Sequence, residues 1–155
     1  MPHFTPEQIT QDISDGAGNP CGPYRAELLS DTGGLTQFGC FIEVLPPGSR
    51  SSLKHWHEAE DELVHVLEGS VILHEGDRET AMQPGDTATF KAGVALGHCL
   101  ENRSDAEARY LVVGTRAARD VVTYPDHDRI LQLDRTDGTR RFTTLDGSPA
   151  STPYA

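Results

Sequence analysis

The sequence holds no run of 18 apolar residues, so no helix long enough to span a bilayer is expected. It is poor in positive charge: 13 Lys and Arg stand against 24 Asp and Glu, a formal net charge of −11. A surface of that sign repels phosphate backbones, so nucleic acid is not an expected partner. Hydrophobic residues make up only 36% and aromatics 6%. The 3 cysteines, Cys21, Cys40 and Cys99, are odd in number and scattered. That speaks against a disulfide framework and for free thiols in a reducing cytoplasm. The N-terminal MPHFTPEQITQD has neither a basic nor an apolar region and is not expected to act as a signal peptide. Nowhere does an i, i+3, i+4, i+7 apolar pattern persist past two helical turns, so long helices are lacking as well.

What is present is turn chemistry. The 15 glycines and 10 prolines punctuate short extended runs. These runs recur roughly every ten residues, as in an antiparallel sandwich or barrel. The 155 residues suffice for one domain with its own core, and no linker or repeat divides them. Residues 1–23 are expected to form an irregular arm, with one helical turn that has Thr5 as N-cap and Pro6 first. Residues 24–135 are expected to form the β-barrel, and 136–155 a partly flexible extension that frays at GSPASTPYA. YRAELLSD reads as a strand running into a turn at 31–34. The apolar run Phe38 to Leu45 reads as a strand covered on both faces. Gly76-Asp77 between extended runs predicts a hairpin, and ARYLVVGTR predicts a buried strand.

The most chemically loaded stretch is GSRSSLKHWHEAEDELVHVLEG, residues 48–69. Strand residues two apart share a face, so His55 and His57 point together and Trp56 points away. EAED reverses the chain. Glu62 then opens a strand on whose inner face Val64 and Val66 follow, and His65 falls on the other face. His98 opens a later strand, with Cys99 directed oppositely. Two solvent-facing histidines would explain the His-x-His pair equally well. Closing the sheet can, however, bring His98 opposite that pair. Three imidazoles and a carboxylate suit a divalent transition metal: Fe, Mn, Ni, Cu, Co or Zn.

These residues resemble the two motifs of the cupin superfamily. The first runs glycine, five residues, His-x-His, three or four residues, glutamate, six residues, glycine; here Gly48, His55, His57, Glu62 and Gly69 follow it with one extra residue after Gly48. The second appears as Gly85, Gly93, His98 and Asn102. Lys91 stands where proline is usual, and four residues rather than two precede His98. The resemblance implies an all-β double-stranded β-helix (jelly-roll) barrel. It also implies His55, His57, Glu62 and His98 as metal ligands, Gly69, Gly85 and Gly93 as turn formers, and Asn102 as a structural hydrogen-bonding residue.

Cupins include oxygenases, decarboxylases, isomerases and non-catalytic binders, so the fold does not choose a reaction. A metal-dependent enzyme acting on a small carboxylate- or carbonyl-bearing molecule is one expectation. A non-catalytic small-molecule-binding or sensor domain is the alternative. Tyr110 and Glu43 act as acid or base only if they face inward; otherwise Tyr110 is core packing and Glu43 a solvated residue. Arg50 and Lys54 precede the histidine pair and are placed to attract an anion, if they are not ordinary surface charges. Asp126-His127-Asp128 reads as a solvated turn. A homodimer is expected, with Leu63, Leu67 and Trp56 on the outer faces as its apolar contacts.

Overall fold

The structure, a computed structural model, describes residues 2–155. Among the described residues thirteen strands follow in chain order: β1 (Gln11–Ser14), β2 (Tyr24–Glu27), β3 (Phe38–Leu45), β4 (Trp56–His57), β5 (Glu62–Glu68), β6 (Val71–Glu75), β7 (Arg78–Met82), β8 (Thr87–Phe90), β9 (His98–Glu101), β10 (Ala108–Thr115), β11 (Arg119–Tyr124), β12 (Arg129–Asp134) and β13 (Thr139–Thr143). One helical turn, α1 (Leu29–Thr32), lies where the sequence suggests only strand and turn. Ser30 accounts for its position: its Oγ accepts from the Cys40 amide at 2.8 Å and ties the turn to β3.

The strands form two walls. The first is a six-stranded sheet in the order β1-β2-β3-β10-β5-β8. The second combines β13-β12-β11-β4 with β7-β6-β9. The two pieces are joined where His55 and His98 form an antiparallel bridge. Every strand pairing is antiparallel. The chain is therefore all-β with a jelly-roll arrangement, as expected from its alternating runs and turn residues.

The core lies between the walls. Leu45, Val64, Val66, Ala108, Tyr110 and Val112 come from the first; Val71, Met82 and Leu100 come from the second. Alternation in β5 puts Val64 and Val66 inside, while Leu67 is exposed and His65 bonds Thr87 Oγ1 at 2.8 Å on the outer side. The predicted hairpin forms: Glu75 pairs with Arg78 across Gly76-Asp77. Gly69 turns between β5 and β6 at φ +73°, and a Cβ there would come within 2.6 Å of the Glu107 carbonyl oxygen. Only glycine fits. Asn102 is fully buried and donates to the carbonyls of Leu45 and Ala106 at 2.7 and 2.8 Å, holding the β9–β10 connection as a structural residue.

The chain ends are fastened. The predicted turn at Thr5 is the 3-10 turn Pro6–Gln8, with the Thr5 amide donating to Gln8 Oε1 at 2.9 Å. The last residues, expected to fray, fold back instead. Ala150 donates to the Phe142 carbonyl at 3.1 Å, and Tyr154 packs on a small cluster of Val122, Tyr124 and Leu131. The apolar body of Tyr154 supplies the burial that its polar flanks lack.

Candidate metal centre

The histidines are positioned by short backbone segments. His55 and His98 exchange backbone bonds, His55 N to His98 O at 3.2 Å and His98 N to His55 O at 2.9 Å. This places their rings side by side, with centroids 5.0 Å apart. Glu62, first residue of β5, reaches across from the opposite wall, and its Oε2 lies 2.9 Å from His98 Nε2. Donor atoms of His55, Glu62 and His98 all fall within 4.8 Å of one another. His57 lies beside this cluster, its ring centroid 5.0 Å from that of His55. Its Nδ1 belongs to a second group with Glu60 and Asp120. Phe90 stacks flat on His98 at 3.6 Å and limits its rotation.

The chemistry of the donor set fits a divalent metal. His55 Nδ1 lies 2.9 Å from the Leu53 carbonyl oxygen. A carbonyl only accepts, so Nδ1 carries the proton and the Nε2 lone pair is free. Burial holds the His55 ring down at about 4, neutral at physiological pH. A neutral imidazole with a bare nitrogen is what ligation requires. Burial pushes Glu62 up, but the His98 bond and the neighbouring imidazoles outweigh it and hold the carboxyl below its usual range. His98 shares a proton with Glu62, and its own buried Nδ1 has no partner among the described residues. A divalent cation replaces a proton shared in this way.

Beneath the cluster opens a cavity of about 400 Å³. His55, Glu62 and His98 share its wall with Glu43, Tyr110, Tyr24, Phe41 and Arg116. Glu43 and Tyr110 thus both face inward. Tyr110 is fully buried and its Oη donates to Glu43 Oε2 at 2.8 Å. Burial lifts the Glu43 carboxyl to about 7, with the nearby charge of Glu62 adding to the rise and the Tyr110 bond opposing it. Tyr110 is itself raised well above its usual value, by burial and then by the Glu43 charge.

Other sequence-based candidates lie elsewhere. Lys54 pairs with Asp126 at 2.9 Å and Arg50 with Glu101 at 3.4 Å, and neither lines the cavity. The cation in the cavity wall is Arg116, bonded to Asp31 at 2.5 Å. Cys99, expected to face away from His98, is buried yet contributes to the same wall, because β9 is covered on both faces. Burial pushes its thiol up to about 11, so it stays protonated. Trp56 lines a neighbouring hollow of about 250 Å³ with Phe90, Val94 and Leu96. Asp126 and His127 sit in an exposed 3-10 turn, as expected. Asp120, Glu60 and Arg116 carry no sequence signal, since Asp120 meets His57 across 63 residues of chain.

Comparison with known proteins gives consistent results. The model of the cupin domain matches residues 41–114. An oxalate-binding protein from Thermotoga maritima is 30% identical over 111 residues, covering 71% of this chain and 86% of that protein. The crystal structure of a sugar phosphate isomerase of the cupin superfamily from Silicibacter pomeroyi superposes with a TM-score of 0.86 at 38% identity, covering 97% of this chain and 98% of that one. A structure from Acidithiobacillus ferrooxidans superposes with a TM-score of 0.82 at 25% identity, covering 94% and 92%.

Proposed function

Because the chain belongs to the cupin superfamily, we propose that it is a metal-dependent enzyme moving a proton on a small carbonyl-bearing molecule, an isomerase-type reaction. The metal is held by His55, His57, Glu62 and His98, with His57 contributing through Nε2. The observation that carries the reading is the buried Tyr110–Glu43 pair, at 2.8 Å, in the same cavity as that cluster.

A bound divalent cation supplies Lewis acidity, polarising the carbonyl and acidifying the neighbouring C–H. The remaining work falls to the chain's own residues. Glu43 titrates near 7, so it is available both to accept a proton and to return one. For an aldose–ketose pair, ionised Glu43 takes the proton from the carbon beside the carbonyl and returns it to the former carbonyl carbon, while the proton of the neighbouring hydroxyl passes to the former carbonyl oxygen. The Tyr110 hydroxyl donates to the carboxylate and fixes the oxygen that faces the cavity. Phe41, Phe90, Val64 and Leu100 line the space and exclude water. Arg116 gives the wall one cation, suited to a substrate with one anionic group. The similarity to the sugar phosphate isomerase from Silicibacter pomeroyi supports this class.

The test is exchange in D2O. Small aldoses, ketoses, their phosphates and 2-oxo acids are incubated with metal-loaded protein and followed by NMR. Deuterium entering the carbon beside the carbonyl, lost in Glu43→Gln, is the expected result. Ligand binding without exchange, in the presence and absence of oxygen, contradicts it. That outcome favours a second reading, a non-catalytic binder of small organic acids, which the 30% identical oxalate-binding protein supports.

A further inference from the structure

One buried carboxylate is unused by the mechanism above. Asp120, in β11, has a side chain with 0% exposure. Its Oδ2 lies 2.6 Å from His57 Nδ1, and its Oδ1 accepts from the Ala59 amide at 2.9 Å. Both oxygens are therefore committed, and the carboxylate cannot rotate without losing one bond.

Glu60 stands on the other side of the ring, its Oε2 3.7 Å from His57 Nδ1, beyond hydrogen-bond reach. Its Oε1 accepts from the Ala117 amide at 2.9 Å and from Arg135. His57, Glu60 and Asp120 have the composition of a second metal site. Their bonding argues otherwise: a cation there would have to displace the His57 ring proton and compete with Arg135. The group is a mount, not a second cation site.

We propose that Asp120 is the positioning residue that fixes the tautomer and aim of His57, making β11 part of the metal centre. A carboxylate facing Nδ1 requires the proton on that nitrogen, which leaves the Nε2 lone pair bare for the metal. Asp120 lies outside the matched cupin segment 41–114. β11 also pairs directly with β4, with Val122 opposite His57, so backbone and side chain of one strand together set the ring. The inference rests on the reading of His57 as a ligand through Nε2, but it makes a claim about the metal-free protein as well.

The experiment uses metal-free full-length protein labelled with 15N-histidine, at alkaline pH where the rings are neutral. Wild type is expected to show the His57 proton on Nδ1. The Nε2–H form in wild type overturns the proposal and needs no variant. In Asp120→Asn, the amide oxygen stays on the Ala59 N–H and its NH2 faces the ring, so the proton is expected to move to Nε2. Metal affinity, measured by competition with a chromophoric chelator, is then expected to fall by about 10- to 100-fold. Asp126→Asn, an exposed carboxylate bonded to Lys54, controls for loss of charge and is expected to change neither readout. Wild-type affinity with the Nδ1–H form retained in Asp120→Asn contradicts the proposal. A wild-type protein that has the Nδ1–H form and shifts it in Asp120→Asn, yet binds no metal, overturns the metal reading and leaves the positioning role standing.

Discussion

The wall that bears His55, His57 and His98 and the wall that bears Glu62, Glu43 and Tyr110 face each other across one cavity but are built differently. The acidic wall is a long ladder: β10 pairs with β3 over eight residues without interruption and with β5 on its other side, where the register shifts once between Arg109 and Tyr110. Its side chains are seated in the main apolar core. The histidine wall combines two sheets, and where it carries His55, His57 and His98 it is built of short pieces, a two-residue β4 and the isolated bridge between His55 and His98. There each ring is aimed individually, His55 by the Leu53 carbonyl and His57 by Asp120. Long strands can tolerate the loss of a side chain without moving the others. A patchwork of short segments depends on each side-chain bond. The electrostatics differ in the same way: burial keeps His55 neutral at about 4 and keeps Glu43 protonatable at about 7.

The largest expected effects come from removing either half of the cluster. His98→Ala and Glu62→Gln take one proposed ligand from each wall. Both are expected to weaken metal binding by more than the roughly 100-fold that loss of an outer-sphere partner costs. Chelator competition checks this; near-wild-type affinity in both variants would break the comparison. Next come Glu43→Gln and Tyr110→Phe, on the acidic wall but outside the cluster. Turnover in the exchange assay is expected to fall about 10²- to 10⁴-fold while metal content is unchanged. Loss of metal in either would merge the two functions that the comparison separates.

A third expectation concerns pH. The folded value of Glu43, about 7, lies above its ordinary 4.5, so the folded state holds the proton more tightly. Its contribution is most favourable below pH 4.5 and declines as pH rises to about 7. The full change is on the order of 3 kcal/mol for the metal-free protein. Thermal unfolding across that window is expected to show a wild-type loss of stability that Glu43→Gln lacks; parallel curves would contradict it. The smallest effect belongs to the C-terminal fastening of the histidine wall. Tyr154 Oη accepts from the Leu53 amide at 3.3 Å, next to the carbonyl that aims His55. Tyr154→Phe is expected to cost about 0.5–1.5 kcal/mol in denaturant unfolding, with metal affinity changed less than about threefold.

The contrast between walls also explains what was legible in the sequence. The strands of the acidic wall announce themselves by apolar alternation and turn residues, as Val64, Val66 and the Gly76-Asp77 hairpin show. His55, Glu62 and His98 carry a spacing pattern, and the structure brings them together. Glu43 is a candidate in the sequence only on condition that it faces inward, because a single carboxylate in an apolar strand reads equally as solvated until the register opposite Tyr110 is known. Asp120 could not be found at all, since its meaning lies in a partner 63 residues away. The GSPASTPYA tail reads as loose for the same reason: the contacts that bury Tyr154, with Leu53, Val122, Tyr124 and Leu131, are all distant in sequence. Arg50 and Lys54 read as useful because they are near the histidines in sequence, yet the irregular segment that precedes β4 brings them to other partners.

The central claim is that the two walls together hold one metal ion. Metal content of protein purified without added metal, determined by elemental mass spectrometry alongside protein concentration, tests it most directly. The account predicts about one equivalent of a divalent transition metal per chain. Less than about a tenth of an equivalent, with none taken up on reconstitution, would contradict it.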